Sequence, residues 1–252
     1  IASPTAYVPI YQGSTTGQSV SEQVENLLGR MTLDEKIGQM TQVEKNSVQP
    51  GAITRYFLGS ILSGGGGSPS RNTAETWAEM INGFQQEALA TRLGIPIIYG
   101  LDAVHGHGNL YAATIFPQEI GLGASRNADL VRQIGQATAE EMLASGAQWK
   151  FAPVVAVPQD IRWGRTYEAY GEDTDLVSEL GSAYIQGLQS LPGGYTPAAG
   201  QALYLLATPK HFLGDGGTTF GTSTQVINIP YLLDQGDMRL DEASIRNLFL
   251  PP

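Results

Sequence analysis

Residues 94–109 read GIPIIYGLDAVHGHGN. Ile95, Ile97, Ile98 and Tyr99 give the β-branched and aromatic run of a buried strand, which predicts a strand over 95–99. At Gly100 the run gives way to a polar, glycine-rich segment carrying Asp102, His105 and His107. The same succession recurs along the chain. SILS at 60–63 ends in four glycines, the run over 149–157 ends in PQDIRWGR, and the run over 203–208 ends in KHFLGDGGT. Between these runs, helical spacing of apolar residues predicts helices over 72–91 (N-cap Asn72), 127–144 (closed by Gly146) and 173–191, with another opening at 241–248. Strands alternating with helices make a parallel sheet covered by helices. In such α/β folds, open or closed into a barrel, sites form at the carboxyl ends of the strands, where all four polar segments fall.

Working outward, residues 1–19 form a polar lead-in rich in Ser, Thr, Pro and Gly. Val20 to Met31 has helical spacing, and Thr32-Leu-Asp-Glu35 is a capping box that opens a further helix. Four strand–helix units are fewer than the eight of a barrel, and the apolar end Asn247-Leu-Phe-Leu-Pro-Pro252 gives the sheet an unfinished look. The expectation is a fragment, with 20–252 as the N-terminal part of a larger domain.

Composition excludes several classes. The net charge of −10, with 14 Lys and Arg in total, leaves no basic face for nucleic acid. Absence of cysteine removes disulfides, thiolate zinc sites and cysteine nucleophiles. No apolar run approaches the roughly 18 residues of a membrane span, so no membrane partner is expected. The uncharged start, without Met or a basic segment, reads as a processed one and favours a secreted or periplasmic protein. No strand end carries a dinucleotide or P-loop glycine pattern, and no G-x-S-x-G elbow occurs.

Asp102 at a strand end can accept two hydrogen bonds, which suits adjacent sugar hydroxyls; an N-cap or loop carboxylate is the alternative. His105 and His107, two apart, would share a face on a strand and suggest a zinc pair completed by His211 or a carboxylate. Their flanking glycines point instead to a tight turn and structural hydrogen bonds. Arg162 and Arg165 offer forks for a carboxylate or vicinal hydroxyls, with Glu168, Glu172 and Asp173 as nearby counter-ions. Trp163 reads as packing. Lys210 and His211 share the rim of Asp102 and Arg165. A phosphate site there would meet the unfavourable Asp215, and Schiff-base chemistry would need a desolvated Lys.

Taken together, GIPIIYGLDAVHGHGNLYAATIFPQEIGLGAS (94–125), WGRTYEAYGEDTDLV (163–177) and PKHFLGDGGT (209–218) resemble successive motifs of glycoside hydrolase family 3, in its β-glucosidase and exo-β-glucan glucohydrolase branch. MTLDEKIGQM (31–40) is similar to the family's opening helix. The resemblance implies an α/β fold of (β/α)8 TIM-barrel type, incomplete in this chain. It also implies retaining removal of non-reducing-end β-D-glucosyl units from a β-glucoside or β-glucan oligosaccharide. Asp102, Arg165, Lys210 and His211 would bind glucose in subsite −1. No cofactor is implied, though the acidic loops leave room for a structural Ca2+ or Mg2+.

Retention needs two carboxylates about 5 Å apart. The family's nucleophile Asp and acid–base Glu belong to later motifs absent from 1–252. The expected partner is therefore the rest of the enzyme, as a further segment or a second chain. Two departures stand out. Asp234-Gln-Gly-Asp237 matches a family segment, but residues 222–233 lengthen the loop before it. Leu213 and Asp215 replace the Pro and second His of the N-acetylglucosaminidase branch. The competing expectation is a sugar-binding or assembly fragment without chemistry of its own, and a His-based metal hydrolase is a third.

Overall fold

The computed structural model describes residues 17–190, 205–223 and 233–252. The lead-in up to residue 16, the end of the helix expected to reach 191, the start of the strand expected from 203, and most of the loop over 222–233 lie outside them.

The first helices, α1 (Val20–Arg30) and α2 (Leu33–Gln39), each begin with a capping box, Ser19 with Glu22 and Thr32 with Glu35. Such caps satisfy backbone amides that the helix itself leaves unpaired. Glu35 does a second job. Arg92, beyond α4 (Ala74–Leu89), donates to it at 2.6 and 3.0 Å and holds its carboxyl down at about 2.

Five strands form one sheet: β1 (Gln42–Glu44), β2 (Ser60–Ser63), β3 (Ile98–Leu101), β4 (Trp149–Lys150) and β5 (Leu206–Ala207). All four pairings are parallel and the order is β1-β2-β3-β4-β5. A doubly wound sheet would reverse its strand order at a switch point. Consecutive order without reversal is the winding of a (β/α)8 barrel, seen here as a five-strand arc.

The strands depart from expectation in three places. β1 is absent from the sequence pattern, because three residues carry too little alternation to register. β3 starts three residues late, since the Ile97 N–H and C=O are bound by the Gln85 side chain and never enter the ladder. β4 ends at Lys150 instead of Val157. Pro153 offers no N–H to a ladder, and pairing resumes as a single bridge from Val154 to Lys210.

The helices cover one face. α4, α6 (Ala128–Ala144) and α7 (Thr174–Leu188) bury Trp77, Ile81, Val131, Met142, Leu180 and Tyr184 against Ile61, Tyr99 and Leu101. α6 and α7 approach closely through Gly135 and Gly187, where added Cβ atoms would lie 2.5 Å from the Tyr184 oxygen and 2.0 Å from the Arg132 oxygen. Gly146 follows α6 at φ +91°, as expected of a helix stop. Asn72 is not the cap of α4. Thr73 caps it, while Asn72 accepts the Trp77 indole N–H at 2.7 Å and donates to the Asn109 carbonyl at 2.8 Å. It thereby ties the start of α4 to the loop after β3. Two further short helices are α3 (Ala52–Tyr56), between β1 and β2, and α5 (Glu119–Ser125), ahead of α6. The last helix, α8 (Glu242–Leu248), lies where a helix was expected to open, and Asp241 caps it.

Candidate active site

Asp102 directly follows β3. Lys210 lies beyond β5, where its N–H donates to the Pro153 carbonyl at 3.0 Å and its own carbonyl accepts from Val155 N–H at 2.9 Å. That anchored backbone lets Lys210 Nζ reach Asp102 Oδ1 at 2.6 Å, across the strand end of β4. The side chains are 15% and 32% exposed, so the ion pair is sheltered but not sealed from solvent.

Arg165 comes from the loop after β4. Its Nε and Nη2 donate to the two Glu168 oxygens at 2.9 and 2.6 Å, a bidentate fork to a nearly buried carboxylate. This bond raises the guanidinium further above its ordinary range, with the charges of Asp215 and Asp234 adding to the effect. His211 Nδ1 lies 2.5 Å from Asp215 Oδ2.

Of the counter-ions expected for the arginines, Glu168 alone takes that role. Asp173 caps α7 and Glu172 offers its carbonyl to Gln159. Arg162 pairs instead with Asp160, two residues before it, and lies over the Phe220 ring at 3.8 Å. Trp163 is buried packing, and its indole N–H donates to Asp234 at 3.0 Å.

The histidine pair does not assemble a metal site. His105 Nδ1 meets the Phe116 carbonyl at 2.8 Å. His107 is fully buried, its Nε2 lies 3.0 Å from Ser145 Oγ, and its ring stands edge-on to Trp77. Burial, and secondarily the Lys150 charge, pull its pKa down to about 4, so the ring is neutral at physiological pH. Among the described residues no group of three His, Asp or Glu is placed to hold a metal ion.

Sequence reasoning missed two buried charged residues behind this site. Lys150 on β4 is fully buried, donates to the Tyr184 hydroxyl and sits 4.5 Å from that ring's centroid. Glu119, at the first position of α5, is buried with one carboxyl oxygen unpartnered. Burial lowers Lys150 to about 7 and raises Glu119 to about 7. A lysine inside the apolar run 149–157 was the available signal. Glu119 gave none, because an acid in a first helical turn is ordinarily solvated.

Residues 32–239 match the glycosyl hydrolase family 3 N-terminal domain. The chain belongs to glycosyl hydrolase family 3. It is 34% identical over 248 residues to a lysosomal β-glucosidase of Dictyostelium discoideum, covering 90% of this chain and 28% of that protein. It is 32% identical to a periplasmic β-glucosidase of Salmonella typhimurium, covering 82% and 25%. An exo-1,3/1,4-β-glucanase structure from a Pseudoalteromonas species superposes with TM-score 0.78 at 37% identity, covering 97% of this chain and 30% of that one. The chain thus spans about a quarter to a third of these family 3 relatives. Asp102, Arg165, Lys210 and His211 all lie within the matched family 3 region.

Proposed function

We propose that this chain forms most of the −1 glucose subsite of a retaining family 3 β-glucosidase or exo-β-glucanase. The observation that carries the reading is the Lys210–Asp102 ion pair, with Arg165 and His211 each held by its own carboxylate. Lysine and arginine donate, and a carboxylate accepts, so vicinal hydroxyls of a non-reducing-end sugar can satisfy both. Each group is held before substrate arrives, so little ordering cost falls on binding.

The family resemblance supports hydrolysis with retention, through a nucleophile and an acid–base carboxylate about 5 Å apart. We assign neither to a residue among these 252. The chain's own residues bind and orient the glucosyl ring, so that its anomeric carbon faces those carboxylates. Substrate contacts that tighten in the transition state raise kcat rather than only lowering KM. No described helix is long and apolar enough to cross a membrane. A periplasmic relative supports a secreted or periplasmic location.

The test is hydrolysis of 4-nitrophenyl β-D-glucoside by the full-length protein, with the anomer released followed by NMR. Release of β-glucose as the first product is expected. Release of α-glucose, or no turnover of any β-glucoside, overturns the reading.

A further inference from the structure

Asp215 meets His211 at 2.5 Å, Oδ2 to Nδ1. The turn that presents it is closely built. Gly214 and Gly216 flank it at φ +100° and +85°, in the region that glycine alone enters without strain. The Gly216 carbonyl accepts from Gln159 N–H at 2.9 Å, and a Cβ at Gly216 would lie 2.7 Å from Pro158 Cα. The turn is therefore seated on the loop after β4, which also carries Arg165.

The chemistry of the four groups assigned to the sugar gives this turn a purpose. Lys210 and Arg165 can donate only, and Asp102 accepts. A sugar hydroxyl both donates and accepts, so a hydroxyl that accepts a hydrogen bond from a cation needs an acceptor for its own O–H. His211 can supply that acceptor only if its proton sits on the other nitrogen. An imidazole without a partner samples both tautomers and rotates, whereas a carboxylate at Nδ1 selects one tautomer and one ring orientation.

We propose that Asp215 is a positioning residue for the glucosyl unit: it accepts a hydrogen bond from His211 Nδ1–H, keeps the proton on that nitrogen, and so presents Nε2 as a second acceptor for one sugar hydroxyl. The inference rests on the glucose reading of the site and adds to it a direction for each hydrogen bond. With Asp102 and Nε2 accepting and Lys210 and Arg165 donating, the pocket is matched to vicinal hydroxyls rather than to an anion.

The experiment uses the full-length protein with Asp215→Ala, Asp215→Asn, His211→Ala and the Asp215→Ala/His211→Ala double variant. Each is assayed on 4-nitrophenyl β-D-glucoside and its 3-, 4- and 6-deoxy analogues. Asp215→Ala is expected to lower kcat/KM about 10- to 100-fold. Asp215→Asn keeps an oxygen that can accept from Nδ1 and should lose less. The double variant should be no slower than His211→Ala. The deoxy substrate on which His211→Ala has no effect should be the one on which Asp215→Ala has none.

Multiplying losses in the double variant, or equal losses on every analogue, would overturn the proposal and leave the glucose reading intact. If Asp215→Ala does not fold, the Asn variant carries the same comparison across the analogues. A wild-type protein inactive on every β-glucoside would overturn the glucose reading itself.

Discussion

Lys210 Nζ lies 2.6 Å from Asp102 Oδ1, joining the end of β3 to the segment beyond β5 across the strand between them. Each residue alone would leave a charge at a strand-end rim, and together they form a neutral, oriented donor–acceptor unit. Asp102→Ala in the full-length enzyme is expected to lower kcat/KM about 100-fold or more, since charge-assisted hydrogen bonds contribute roughly 1.5–3 kcal/mol each. Asp102→Ala/Lys210→Ala should lose less than the product of the single losses, because each single variant already strands its partner. Multiplicative losses would mean that the two act on substrate independently.

Arg165→Lys should lower kcat/KM about tenfold, with little change in thermal midpoint. A lysine keeps the charge but cannot reproduce the two-pronged bond to Glu168 at 2.9 and 2.6 Å that orients the guanidinium. Steady-state kinetics and a melting curve check this together. A large fall in midpoint with unchanged kinetics would assign Arg165 to stability instead.

His107→Ala should do the reverse. The ring is fully buried, bonded to Ser145 and packed edge-on to Trp77. Its loss is expected to destabilise the protein by about 2–4 kcal/mol, leaving kcat/KM within about threefold. Chelator should leave activity unchanged. Loss of activity on chelation, restored by zinc, would revive the metal reading of the histidine pair.

These expectations show where the sequence was legible. Periodicity located the main helices, one capping box opened α2, and the apolar run over 95–99 placed Asp102 near a strand end. The motifs around Arg165 and Lys210 carried the family. What escaped depends on contacts between distant segments. The Gln85 side chain delays β3, and Pro153 stops β4 in an apolar run that reads as continuous. Burial of Glu119 arises only when α5 packs against residues 166–170 and α7. Asp215 was legible as a charge, yet its bond to His211 follows from a turn whose shape the letters GDGG do not state.

The buried pair gives a pH-dependent prediction. Glu119 has its pKa raised to about 7 in the folded protein, so the native state holds more protons than the unfolded state between about 4.5 and 7. Its contribution to stability is present below about 4.5 and is lost as pH rises to about 7. Lys150, lowered to about 7, acts oppositely: the unfolded state binds more protons between about 7 and 10.5, so its penalty is relieved as pH rises through that window. Glu119→Gln should therefore flatten the fall in stability from pH 4.5 to 7 and leave the rise above pH 7 in place. Denaturant melts at pH 5, 7 and 9 measure this. An unchanged slope between pH 5 and 7 would show that Glu119 does not titrate there.

The most direct test of the glucose pocket is a crystal structure of the full-length enzyme with bound glucose. The account predicts a single ring at the strand ends, with hydroxyls within hydrogen-bond distance of Asp102, Arg165, Lys210 and His211 Nε2. Glucose bound elsewhere, or in this pocket without contact to Asp102 and Lys210, would contradict it.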